Sequence, residues 1–234
     1  MAEELDLETY LYVSQNKFEI FLFNKKNLKN IYENKIIFNN KKNYIDLNSL
    51  DKFLADNIFK IEKLSKNFVK NIFLIIENKE INQINFGIKK KGYENDISKK
   101  LLQNILNDAK DLFKENYHNQ NIMHIIINRY FENGNYHSSF NNKFRGDYLC
   151  VEFNLIFISN NFVSEINKVL KKYQVALAGC LDGNYVKNFF KGEKIEYSEM
   201  IYKIRTGFNE NEVKLISKNL KKLGFFERFF QLFS

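Results

Sequence analysis

The densest chemistry in this chain is at its carboxyl end, and it is surface chemistry rather than catalysis. Phe226, Phe229, Phe230 and Phe233 recur at i, i+3, i+4 and i+7, one continuous face of a helix. Phe225 and Leu232 widen that face, while Glu227, Arg228 and Gln231 take the other side. Lys214, Lys218, Lys221 and Lys222 lie upstream, so Val213 to Ser234 holds four Lys and one Arg against one Glu, a net charge of +4. Rings on one side and cations beside them are what an interfacial membrane helix needs. Burying a Phe side chain gains roughly 1.5–3 kcal/mol. Ordering each residue costs about 1–2 kcal/mol. The expected anchor is weak and reversible, and several copies in one assembly would hold far more tightly. The same spacing also suits the protein's own core or a helix-binding groove on a partner.

Covalent chemistry has little material elsewhere. His118, His124 and His137 are isolated, and no HExxH motif or His/Cys cluster offers a metal site. No serine sits in a GxSxG elbow, and neither a Walker A loop nor GxGxxG is present. Nine glycines leave little for a phosphate cradle. Glu193, Glu196 and Glu199 read as a solvated face, and Lys89-Lys90-Lys91 as a solvated strand end. The sequence therefore predicts no catalysis, no cofactor and no metal.

The 234 residues suffice for one large domain or two small ones. Hydrophobic residues at 44% and charged residues at 27%, with 24 Phe and 13 Tyr, exclude a disordered chain. The formal charge of +8 favours an anionic partner, lipid or nucleic acid. No RNA- or DNA-binding signature accompanies it, so no nucleic acid is expected, and a salt-dependent gel shift would expose that alternative. Cys150 and Cys180 have no zinc spacing and are too few for a secreted disulfide framework. The acidic start, with Glu3, Glu4 and Asp6, does not read as a signal peptide. No apolar run reaches the ~18 residues of a spanning helix. The expected location is cytoplasmic, peripheral on the inner face of the inner membrane.

The elements that must carry these residues can be read from periodicity. Strands are expected at 9–14, 18–23 and 30–38, then a helix over 47–64 capped by Asn48 or Ser49, then a buried strand at 71–77. A second block reads as strand 80–91, helix 96–113, strands 121–131 and 147–159, helix 162–172 and strand 175–180. A short helix over 197–205 follows. The spacing of Asn209 and Glu212 then predicts a capping box and a helix over 210–223, with Gly224 as cap or hinge.

This order resembles the actin-like cell-division protein FtsA. Ile122-Met-His-Ile-Ile-Ile-Asn-Arg-Tyr-Phe-Glu-Asn-Gly134 is similar to that family's ILHVIPQEFxVDG strand. Phe144-Arg-Gly146 followed by Leu149 to Ile156 is similar to its GMxGxxLExxVHII stretch, and Gln174-Val175 to its GLxV. The family also ends in a basic aromatic helix that binds the inner membrane. Its phosphate loop would fall at Tyr12 to Lys17, where Tyr12 stands for the acidic residue and Ser14 for the glycine. Its second lobe, with the other phosphate loop and the main docking surface for FtsZ, has no counterpart here.

The resemblance implies an α+β fold. Residues 1–79 form a reduced actin-like, ribonuclease H-like half-lobe, 80–181 an FtsA-type inserted α/β module, and 182–234 a helical tail. It implies a non-catalytic adaptor of the bacterial divisome that recruits components through the module and can self-associate, without ATP or the usual FtsZ contact. Phe225, Phe226, Phe229, Phe230 and Phe233 would enter the membrane, with Lys218, Lys221, Lys222 and Arg228 on anionic lipid. The pilus-assembly protein PilM shares the plan and gives the alternative, a binder of a short peptide from a membrane partner.

Overall fold

Leu7–Ser14 (β1) and Lys17–Asn24 (β2) form an antiparallel hairpin, Leu7 opposite Asn24 and Val13 opposite Phe18. The computed structural model describes residues 6–39, 44–91, 99–140 and 146–214. Lys29–Ile37 (β3) extends the hairpin on one side. After the helix Leu47–Ser65 (α1), Asn71–Glu77 (β4) runs parallel to β1 on the other side. The chain then builds a second unit from Asn82 to Ser159 and returns to the first at Asn160. There Asn160–Lys171 (α3) leads into Ala176–Asp182 (β9), which pairs parallel with β4. The sheet order is β3-β2-β1-β4-β9, three antiparallel strands followed by two parallel additions. That order and those directions are the actin-like, ribonuclease H-like sheet.

Both faces of this sheet are covered, which is why β1 and β2 read as nearly unbroken apolar runs. Tyr10, Tyr12, Phe21 and Phe23 pack on Gly183–Phe189 (α4) and Tyr197–Thr206 (α5) through Val186, Phe190, Ile201 and Ile204. Leu11, Val13, Phe18, Ile20 and Leu22 alternate to the opposite face. On that side Phe18 meets Phe53 of α1 at 6.1 Å between ring centroids. Asp46 caps α1, its carboxylate accepting from the amides of Asn48 and Ser49. The expected caps, Asn48 and Ser49, instead present the amides. Asn57, fully buried on α1, accepts from Tyr32 Oη at 2.6 Å and Asn34 Nδ2 at 2.7 Å, tying β3 to the helix.

The second unit is an antiparallel sheet in the order β5-β8-β6-β7, made of Asn82–Lys91 (β5), Gln120–Glu132 (β6), Asn135–His137 (β7) and Tyr148–Ser159 (β8). Lys99–Asn116 (α2) covers one face, placing Leu102, Ile105, Ala109 and Phe113 on Ile127, Val151, Phe153 and Phe157.

Three expectations change. Residues 160–182 belong to the half-lobe, not to the inserted module, because β9 completes the first sheet and α3 packs beside α1. The tail divides as well: 183–208 stays with the first unit, and 209–214 joins the second. Residues 210–214 are not helical. Glu212 bridges Ile126, the Ile127 amide donates to Asn211 O at 2.8 Å, and the Val213 amide donates to Ile125 O at 2.8 Å. The edge of β6 takes these backbone groups before a helix can. Two short elements, β7 and α4, had no sequence expectation; each is too short for periodicity to register.

Candidate functional site at the carboxyl ends of three strands

In an open sheet with parallel strands, ligands bind outside the strands' carboxyl ends. Here those ends bring Ser14, Glu77 and Asp182 together: Ser14 pairs with Glu77 in register, and Asp182 lies opposite Ile76. Residues of the hairpin and of α4 and α5 close over them. Lys187 forms an ion pair with Glu77 and also stands 5.1 Å from the Tyr12 ring centre and 5.2 Å from that of Tyr197. Lys17 pairs with Glu19 at 2.6 Å and lies 4.5 Å over the Tyr12 ring. Tyr12 and Tyr197 meet edge to face at 5.8 Å. One buried ring is thus flanked by two ammonium groups, each with its own carboxylate.

The electrostatics keep both phenols neutral. Burial, then the negative charge of Glu77, pushes the Tyr12 hydroxyl well above the ordinary phenol range. Burial followed by Glu77 and Tyr12 does the same to Tyr197. Gly183 is where the chain enters α4. A Cβ there would lie 2.7 Å from Glu77 Cγ and 2.9 Å from both Glu77 Oε1 and Tyr197 Oη. Only glycine leaves room for that carboxylate and phenol.

The hairpin turn is also closed. Ser14 Oγ accepts the Lys17 amide at 3.0 Å and donates to Asn16 Oδ1 at 2.8 Å. A phosphate loop presents such an amide to its ligand. Here the Ser14 hydroxyl takes that amide itself. A cavity of about 290 Å³ borders the turn, lined by Gln15, Phe18, Ile37, Asp46 and Ser49 among others. The Asn48 and Ser49 amides at the start of α1, beside that cavity, already donate to Asp46 Oδ1. The arrangement is a charge-compensated plug of ions and rings at the sheet's ligand end.

Several candidates read from the sequence fall elsewhere. Phe225, Phe226, Phe229, Phe230, Phe233, Lys218, Lys221, Lys222 and Arg228 lie outside the described residues. Tyr12 and Ser14 lie at the end of β1, next to the hairpin turn. Among the described residues no group of three or more His, Cys, Asp or Glu could hold a metal ion. Among the same residues no helix is long and apolar enough to cross a membrane. Sequence reasoning missed Glu77, Lys187 and Tyr197. Lys187 and Tyr197 follow Glu77 by 110 and 120 positions, which leaves no local signal, although "Asp-Gly" at 182–183 after an apolar strand marks the crossing point.

No family model and no curated protein matches the chain. Solved structures give remote likenesses. One is the cytoplasmic domain of EpsL, an inner-membrane component of the type II secretion system of Vibrio cholerae, with a TM-score of 0.38 and 8% identity over 77% of this chain and 57% of that one. Another is a PilM–PilN type IV pilus biogenesis complex, with a TM-score of 0.49 and 8% identity over 78% and 49%. A third is a Bacteroides thetaiotaomicron protein with an actin-like ATPase fold, at 0.31 and 14% identity over 80% and 56%. The chain spans roughly half of each, 57%, 49% and 56%. Its own strand order defines the class: an actin-like half-lobe interrupted by an inserted α/β module.

Proposed function

We propose that this chain is a non-catalytic adaptor that places an assembly on the cytoplasmic face of the inner membrane. The plugged ligand end carries the reading: Ser14 Oγ takes the Lys17 amide, and Lys187 and Tyr197 fill the space beside Glu77. A half-lobe whose strand ends are occupied by paired ions and rings of its own offers surfaces in place of chemistry. The Phe-rich terminus supplies the membrane contact and the inserted module the protein contact, including self-association.

Calorimetry with ATP and magnesium tests the first half of this reading; tight binding would overturn it. Vesicle co-sedimentation tests the second. The intact chain should bind anionic vesicles, and a chain ending at Leu223 should bind far less; equal binding would defeat the anchor.

The setting follows from the resemblance to FtsA, which puts the assembly at the division site. A fluorescent fusion should then gather at midcell in dividing cells. Envelope foci away from midcell would favour the PilM-type reading, in which the chain binds a short peptide of a membrane partner. Diffuse signal would count against both.

A further inference from the structure

The two most exposed large apolar residues among those described are Phe59 at 71%, in the last third of α1, and Phe68 at 81%, just after the helix ends at Ser65. Phe59 is on the solvent side of the helix, four residues before Lys63 and directly before Lys60. The chain then turns back on the helix. Lys66 caps it in the left-handed region at φ 57, and the Val69 amide donates to Glu62 Oε1 at 3.1 Å. Val69 goes into the core, which leaves Phe68 pointing outward between Lys66 and Lys70. Lys60, Lys63, Lys66 and Lys70 are all exposed, and among the described residues none of them is in an ion pair. The only acid in the sequence between positions 60 and 70, Glu62, is engaged by the Val69 amide.

A single exposed ring needs no explanation. Two in one short stretch of chain, interleaved with four exposed lysines that no acid pairs with among the described residues, do. We propose that this end of α1 is a second membrane-contact surface: Phe59 and Phe68 enter the interface of an anionic bilayer, and Lys60, Lys63, Lys66 and Lys70 meet its head groups. The inference rests on the membrane reading above. Charge selects the occupant as anionic, and apolar rings interleaved with lysines are the composition of a contact with an anionic bilayer interface.

The test uses the chain's lack of tryptophan. Phe68→Trp in the full-length protein gives one fluorophore at the patch, at a position so exposed that folding is not at stake. Its emission should shift to the blue with vesicles of phosphatidylglycerol and phosphatidylcholine, and not with phosphatidylcholine alone. The shift should persist when Phe226, Phe229, Phe230 and Phe233 are all changed to Ser, which separates the patch from the tail. Lys63→Glu should lower partitioning by at least about fivefold. Co-sedimentation of the intact protein with unshifted emission would overturn the patch and leave the tail reading standing. A shift with single-stranded RNA and none with anionic vesicles would also overturn it, as would no binding by any form.

Discussion

His124 Nδ1 lies 2.6 Å from Glu212 Oε1, although the two residues are 88 positions apart. The imidazole is almost wholly buried, and the carboxylate side chain is 11% exposed. This contact fastens the segment 211–213 to the edge of β6, alongside the two backbone bonds at Ile125 and Ile127. Val213 packs against the core of the same unit. The chain therefore leaves for its Phe-rich terminal sequence from the inserted module, and not from the half-lobe. Under the adaptor reading, the segment 211–213 that precedes the membrane contact is held by the unit that meets a protein partner.

Breaking that contact should loosen the root locally. A hydrogen bond between side chains contributes about 0.5–1.5 kcal/mol, and about 1.5–3 kcal/mol where one partner is charged. Glu212→Ala should therefore raise hydrogen exchange at the Ile127 and Val213 amides by at least about tenfold, since about 1.4 kcal/mol is a factor of ten. Amides in β1 and β4 should be unaffected. Unchanged exchange at Ile127 would mean that the backbone bonds alone hold the segment.

Asn57 should be among the costliest polar residues of the half-lobe. Its Nδ2 donates to Phe53 O at 2.5 Å, and its Oδ1 receives Tyr32 and Asn34. Asn57→Leu keeps the size but strands both donors on β3. Urea denaturation should show a loss of about 2 kcal/mol or more. Adding Tyr32→Phe should recover part of it, because one stranded donor disappears.

Alkaline pH should weaken the fold through its tyrosines. Burial pushes Tyr130 up to about 12, and burial with the Asp51 carboxylate raises Tyr173 to about 12 as well. Burial drives Tyr10, Tyr12 and Tyr197 higher still. In each case the folded protein holds the proton more tightly than the unfolded chain, whose phenols titrate near ~10. Their contribution is thus complete below about pH 10 and is lost as pH rises toward and past about 12. Absorbance in the near-ultraviolet phenolate band should show these phenols ionising together with unfolding and not before it. Ionisation of all 13 tyrosines in one smooth step before any loss of structure would contradict their burial.

Much of this architecture was legible in the sequence, because most elements are long and strongly periodic. Helix α1 declares itself through Leu50, Phe53, Leu54, Ile58 and Ile61, and β8 through Leu149, Val151, Phe153 and Leu155. What periodicity cannot supply is the partner of a strand. Ala176–Asp182 reads the same whether it pairs in the module or in the half-lobe, and only β4's free edge decides. The segment after Asn209 carries a capping-box spacing, yet Asn209 Oδ1 accepts the Asn211 amide in a local turn. The β6 edge then overrides helix propensity. The plug was invisible for the same reason: Glu77, Lys187 and Tyr197 meet only once β4, α4 and α5 are placed.

Gly183 gives the sharpest test of that plug. Its missing Cβ is the space in which Glu77 and Tyr197 come together, so Gly183→Ala must displace one of them. Overpacking of this kind costs about 1–3 kcal/mol. Glu77 is tied to Lys187 and Tyr197 is packed on Tyr12 and Phe21, so neither can leave without breaking a second contact. Gly183→Ala should therefore lower the denaturation midpoint, and Tyr197→Phe in the same chain should restore part of the loss by removing the crowded oxygen. Tyr197→Phe alone should cost little, because that hydroxyl has no hydrogen-bond partner among the described residues. If Gly183→Ala is neutral, the ligand end has slack that the crowded geometry denies, and a small anion could be accommodated there after all.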